Sequence, residues 1–201
     1  MTSAIDFYFD FASPYGYFAS TCIDDIATRH GRGVAWHPIL LDIVYKVNGT
    51  GAPTQHPIKT AYLRHDVERT ARFHGIAYKR PTHFPIPTQA AERAVLWVQD
   101  HHGGDLSAEF AKSIFHALYV DDVNIGDPAE LVRLGEALGI DGTKLDAGMH
   151  SPAAKDHLKA EIDLAMARGV FGSPFVIVDG EPFWGFDHFP QVEACLKQGK
   201  I

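Results

Sequence analysis

The chain has 201 residues, 46% of them hydrophobic, with a formal charge of −7 at pH 7. That length and apolar content suit one well-cored domain, or one domain carrying a large insertion. The acidic balance, the lack of a basic tract and the lack of a long apolar run argue against a nucleic-acid partner and a membrane span. The N-terminus runs almost directly into a strand, so no signal peptide is read there. Ile5, Phe7, Phe9 and Phe11 alternate with Asp6, Tyr8 and Asp10, the period of a strand. Tyr17, Phe18, Cys22, Ile23, Ile26 and Ala27 then recur at helical spacing. Between them stands Ser13-Pro14-Tyr15-Gly16, with Ser13 suited to a helix N-cap and Pro14 to its first turn. Val34 to Leu41 predicts a second strand, and Asn48 to Pro53 is rich in breakers.

From about Pro57 to Arg168 the pattern is helical, without a convincing strand. One helix opens at Thr88 or Gln89 and another runs from Asp105 to Val120. Asp127-Pro128-Ala129-Glu130 reads as a capping box ahead of a helix stopped by Gly139. Ser151-Pro152 opens a further helix that ends before Gly169. Strand signal returns at Phe175 to Val178, followed by the hairpin turn Asp179-Gly180, a return strand with Phe183-Trp184, and a helix from about His188 to Leu196. Cys22 and Cys195 stand far apart in apolar helical stretches, which predicts buried free thiols and a cytoplasmic protein. The twelve histidines form no H-E-x-x-H pattern and no C-x-x-C occurs, so no metal site is expected.

Ser13-Pro14-Tyr15-Gly16 has the place and shape of a thioredoxin-type Cys-x-x-Cys without either thiol. Such a site cannot run disulfide exchange. A hydroxyl beside the free amides of a helix start could still hold a thiolate belonging to another molecule. Taken alone, Ser13 is an ordinary N-cap, Pro174 a strand-start proline, Asp187 a cap for the last helix, and Lys46 a solvated surface lysine.

Two longer stretches change that balance. Asp6-Phe7-Tyr8-Phe9-Asp10-Phe11-Ala12-Ser13-Pro14-Tyr15 closely resembles the opening of 2-hydroxychromene-2-carboxylate isomerases. Gly169 to Pro174, Val178 to Glu181 and Phe183 to Asp187 resemble the end of the same family, and the middle matches more loosely. The resemblance implies an α/β chain with a thioredoxin-like fold and a large all-helical insertion, of the DsbA and kappa-class glutathione transferase type. Residues 1–50 and 169–201 would be the two halves of the thioredoxin-like domain, and 51–168 the helical insertion.

The resemblance also implies glutathione as cofactor and a homodimer. Ser13 matches the serine that keeps the glutathione sulfur a thiolate. Pro174 matches the cis-proline facing the active site, and the Ser173 backbone would pair with the cysteinyl part of the tripeptide. Trp184, Gly185, Phe186 and Asp187 match the segment holding the γ-glutamyl end, with Asp187 taking its ammonium. Lys46 matches a lysine near the substrate and glutathione carboxylates, while Thr50 to Pro53, including Gly51, and Phe84 would surround a small aromatic substrate. Thr50, Pro87 and Ser173 depart from the family's usual asparagine, asparagine and valine. The implied reaction interconverts a cyclic hydroxychromene carboxylate and an open-chain pyruvate by thiolate addition, bond rotation and elimination. A kappa-class-like transferase and a non-catalytic glutathione or peptide-binding module remain open beside it.

Overall fold

The computed structural model describes residues 4–51 and 55–201. Its sheet has four strands: β1 (Ile5–Phe9), β2 (Val34–Pro38), β3 (Phe175–Val178) and β4 (Glu181–Trp184), in the order β2-β1-β3-β4. β1 and β2 run parallel with Phe7 opposite Trp36; β3 lies antiparallel to both β1 and β4. The parallel pair needs a crossover, supplied by α1 (Pro14–Ser20) and α2 (Ile23–Arg29). The antiparallel pair needs only the turn at Asp179 and Gly180, whose φ values of 51° and 93° are those of a tight hairpin.

After β2 come α3 (Leu41–Val47), α4 (Pro57–His74), α5 (Gln89–His102), α6 (Gly104–Tyr119), α7 (Pro128–Ala137), α8 (Gly142–Met149) and α9 (Pro152–Ala167). A short 3₁₀ turn, Phe186–His188, leads into α10 (Phe189–Gln198). The sheet is covered on both faces. One face carries Ile5, Phe7, Phe9 and Trp36 into a core shared with α1, α6 and α10. The other carries Tyr8, Phe175 and Ile177 against Leu158, Ile162 and Ala165 of α9 and Val44 of α3. Ring contacts lock the first core: Phe7 meets Trp36 at 4.8 Å and Phe11 meets Phe115 of α6 at 4.6 Å, both edge to face.

Several local expectations are revised. The first helical stretch is two helices, because Thr21 and Cys22 leave the α1 path before α2 begins. The second strand stops at Pro38, and Leu41 already starts α3. Asp127 caps α7 through Ala129 N, but Glu130 turns to Arg133 at 2.8 Å, so the reciprocal half of the capping box is missing. Ser151 caps α9 through Ala154 N as its sequence predicts. Cys195 is buried, whereas Cys22 is only partly so, and neither is in a disulfide. Burial pushes the Cys22 thiol up to about 12, which leaves it inert.

Candidate functional site

The turn between β1 and α1 places Ser13 at the N-cap of α1, with Pro14 as the first helical residue. Its backbone is extended, φ −98° and ψ 111°, and its Oγ accepts from Gly16 N at 3.1 Å. The same oxygen donates its proton to the carbonyl of Ser173 at 2.7 Å. Two turns 160 residues apart in sequence thus meet at one buried hydroxyl. A Cβ on Gly16 would lie 2.9 Å from the Ser173 hydroxyl beside that meeting. Any larger residue at that helix position, cysteine included, pushes on the Ser173 turn. The helix start offers fewer free amides than its sequence suggests. Proline has none, Gly16 N is taken by Ser13 Oγ, and Tyr17 N is taken by Ser13 O at 3.1 Å, leaving the amide of Tyr15.

The Ser173–Pro174 bond is cis. The Pro174 carbonyl accepts from Gly185 N at 3.0 Å, which fastens the segment after β4 beside the Ser173 turn. Trp184 is 53% exposed and leans edge-on against Phe171, with ring centroids 4.9 Å apart. Gly185 has φ 99°, a backbone conformation that favours glycine. The Phe186 ring is buried against Phe18 and Phe189, so only its backbone lines this edge. Asp187 lies within the 3₁₀ turn and does not cap α10, whose N-cap is His188. Its carboxylate is 84% exposed, 3.5 Å from His188 Nδ1. A hollow of about 670 Å³ is lined by Trp184, His188 and Gln191, among others, and does not include Ser13 or Ser173.

Lys46 is exposed near the end of α3, and Thr50 and Gly51 are exposed beyond it. Ala52 and Pro53 lie outside the described residues. Phe84 is 38% exposed in the loop that leads into α5. Tyr15 donates its hydroxyl to Asp66 of α4, a carboxylate also held by Arg69, and so ties α1 to α4. Among the described residues no group of three or more His, Cys, Asp or Glu side chains is placed to hold a metal ion. No helix among them is long and apolar enough to cross a membrane.

Two residues at the centre of this arrangement carry no motif of their own. Asp10, 2% exposed, accepts from Ala12 N at 2.8 Å, from Thr88 Oγ at 3.1 Å and from Leu41 N at 2.7 Å. Its own amide donates to Ser173 Oγ at 3.0 Å. Glu92 of α5 is fully buried and takes the amide of Phe11 at 3.1 Å.

Comparison with known proteins agrees with this fold. The model of the DSBA-like thioredoxin domain matches residues 4–197. A protein of Sphingobium xenophagum named 2-hydroxychromene-2-carboxylate isomerase is 30% identical, over 98% of this chain and 99% of its own. Glutathione S-transferase kappa 2 of Caenorhabditis elegans is 27% identical over 96% of this chain and 92% of its own. A solved 2-hydroxychromene-2-carboxylate isomerase structure superposes with a TM-score of 0.87, at 24% identity, covering 97% of this chain and 95% of that one.

Proposed function

The chain belongs to the DSBA-like thioredoxin domain family, and from that premise we propose that it is a glutathione-dependent isomerase of 2-hydroxychromene-2-carboxylate-like intermediates of aromatic degradation. The observation that carries this reading is the Ser13 hydroxyl, buried against the Ser173 carbonyl in a site that has lost both thiols. Such a site has nothing with which to exchange disulfides, but it has a hydroxyl donor and a neighbouring backbone edge for a thiol-bearing peptide.

The residues present fit glutathione. Ser13 supplies the donor for a sulfur anion, and the Ser173 backbone supplies an edge for the peptide. The exposed Asp187 carboxylate is free to meet an ammonium, and Lys46 to meet a carboxylate. When bound, glutathione supplies the thiolate that adds to a conjugated carbon, permits rotation about the former double bond and leaves again. Ser13 stabilises that anion; it need not lose its own proton, and no G-x-S-x-G elbow surrounds it.

The hydroxyl has one proton, and in this structure it points to Ser173 O. To serve a thiolate it must turn, while Oγ keeps the bond from Gly16 N. The Ser173 carbonyl then needs another donor, since a buried unpaired carbonyl costs about 1–3 kcal/mol. A peptide N–H arriving with the thiol would replace it. In this reading the substrate is a small aromatic acid, with Thr50, Gly51 and Phe84 on its side of the site. The protein is a cytoplasmic homodimer whose helical segment is inserted in the thioredoxin-like domain.

The test is glutathione binding by calorimetry, with proton release recorded, followed by turnover of 2-hydroxychromene-2-carboxylate. Isomerisation with the glutathione concentration unchanged supports the isomerase. Consumption of glutathione as a conjugate moves the assignment to the transferase. Absence of binding at millimolar glutathione removes the cofactor from the reading.

A further inference from the structure

We propose that Asp10 and Glu92 are positioning residues, a buried carboxyl pair that fixes the Ser13 turn against the two segments carrying Lys46 and Phe84. Neither side chain is accessible from outside, so neither touches a substrate. Their effect is on the backbone. Four consecutive amides lead to the Ser13 hydroxyl, and every one is committed. Asp10 N donates to Ser173 Oγ, Phe11 N to Glu92, Ala12 N to the Asp10 carboxylate and Ser13 N to the Asp10 carbonyl. The same Asp10 carboxylate takes the first amide of α3, which leads to Lys46, and the Thr88 hydroxyl, which follows the Phe84 loop. Displacing Asp10 would therefore shift three parts of the site relative to one another.

The donor count separates the two members. Asp10 has three donors and is suited to carry the charge. Glu92 has one donor, on Oε1, while its buried Oε2 has none. Glu92 takes the amide of Phe11, the residue next to Asp10, which brings the two buried carboxyls into one neighbourhood. One proton on Glu92 turns two neighbouring acceptors into a donor and an acceptor. Burial first, and then the Asp10 charge, hold the Glu92 carboxyl well above the usual carboxylate range. Burial raises Asp10 as well, against the pull of the Leu41 and Ala12 amides. The other titratable groups facing the pair are Asp42 and Tyr45 of α3 and Tyr119 of α6, and none of them is a cation.

The catalytic consequence rests on the reading of Ser13 as the thiolate's donor; the positioning itself does not. The experiment therefore has arms that need no glutathione. In the infrared at neutral pH, the whole protein should show a protonated carboxyl C=O band that Glu92→Gln removes. Glu92→Gln keeps the acceptor for Phe11 N and offers an N–H to Asp10, so Ala12 and Leu41 amide exchange should stay as in wild type. Asp10→Asn has one oxygen for three donors, and exchange at those amides should rise about tenfold or more. In turnover, Asp10→Asn and Glu92→Leu should lower kcat about tenfold or more with KM for glutathione little changed, while Glu92→Gln stays within about threefold. If Asp10→Asn does not fold, the contrast between Glu92→Gln and Glu92→Leu decides. A missing carboxyl band, or a Glu92→Gln variant as impaired as Glu92→Leu, overturns the proposal. Absence of glutathione binding by the wild type overturns only the thiolate reading, and the spectral and exchange arms still decide the pair.

Discussion

Replacing Ser13 with alanine removes three roles at once, and their sizes can be worked out separately. The first is the N-cap of α1, the bond from Gly16 N to Ser13 Oγ, whose loss costs about 1 kcal/mol. The second is the 2.7 Å bond to Ser173 O, whose loss strands a buried carbonyl at about 1–3 kcal/mol. Together they amount to ~3 kcal/mol, or a fall in Tm of roughly 6–12 °C for a chain of this size. The third role belongs to the proposed function, with glutathione bound. A hydrogen bond to a charged group contributes about 1.5–3 kcal/mol, so its removal should raise the bound thiol's pKa by about 1–2 units. At pH below the wild-type pKa of the bound thiol the thiolate then falls about tenfold or more, and kcat/KM with it. The assay is thiolate absorbance of bound glutathione, titrated over about pH 6 to 9 in wild type and Ser13→Ala, beside thermal melts. The alanine variant should melt lower and show the thiol titrating later. Melting lower with an unchanged thiol titration would falsify the role of Ser13 in holding the anion and leave it a helix cap.

Gly16→Ala should lower turnover more than stability. The added Cβ approaches Ser173 Oγ at 2.9 Å and disturbs its bond to Asp10 N, while the helix gains up to about 1 kcal/mol of propensity. Equal kcat in the variant would show that the Ser173 turn tolerates displacement. Asp187→Asn should weaken glutathione binding only a few-fold, because a carboxylate 84% exposed contributes at most about 1 kcal/mol to an ion pair; a hundredfold loss by calorimetry would show that the ligand buries it. A third test concerns the cluster joining α9 to the sheet. His37 lies 3.0 Å from Glu161 and 3.1 Å from Asp6, which also meets Arg168 at 2.6 Å. The His37 bond holds the Glu161 carboxyl below its usual range; burial opposes the same shift at Asp6, where Arg168 and His37 prevail. Depressed carboxylates contribute stability that is complete above their unfolded values near pH 4 and is lost as acid passes through the lowered folded values. Glu161→Gln should therefore flatten the acid limb of Tm against pH, and an unchanged limb would place the acid sensitivity elsewhere.

What could be read from the sequence, and what could not, follows from the range of each interaction. Ser13 and Pro14 announce a helix start because capping acts within one turn. The hairpin at Asp179-Gly180 is equally local. α3 leaves little signal in the sequence because its N-cap is Leu40, which makes no side-chain cap bond, and because it has only seven residues. Asp10 was hidden by the alternation of β1. A period-2 strand suggests one wet face, which would include Asp6, Tyr8 and Asp10. The sheet instead has helices on both sides, so Tyr8 packs under α9 and Asp10 is enclosed at the strand's end. Glu92 looked like any helix carboxylate, since its partner stands 81 residues earlier, at Phe11. A buried carboxyl placed by long-range contacts leaves no periodic trace.

The same distinction explains how this site can differ from a disulfide-exchanging one without a new fold. The thiol-bearing positions are the N-cap and the helix residue three further on, here Ser13 and Gly16. Changing the first to a hydroxyl keeps a donor for sulfur while removing the nucleophile. Changing the second to glycine does more than delete a thiol, because the vacated space is filled by Ser173 Oγ, itself held by the Asp10 amide. Restoring a cysteine at position 16 would have to displace that hydroxyl before a disulfide could close. On the proposed function, the side chains behind the turn suit a site whose reactive sulfur arrives with its ligand.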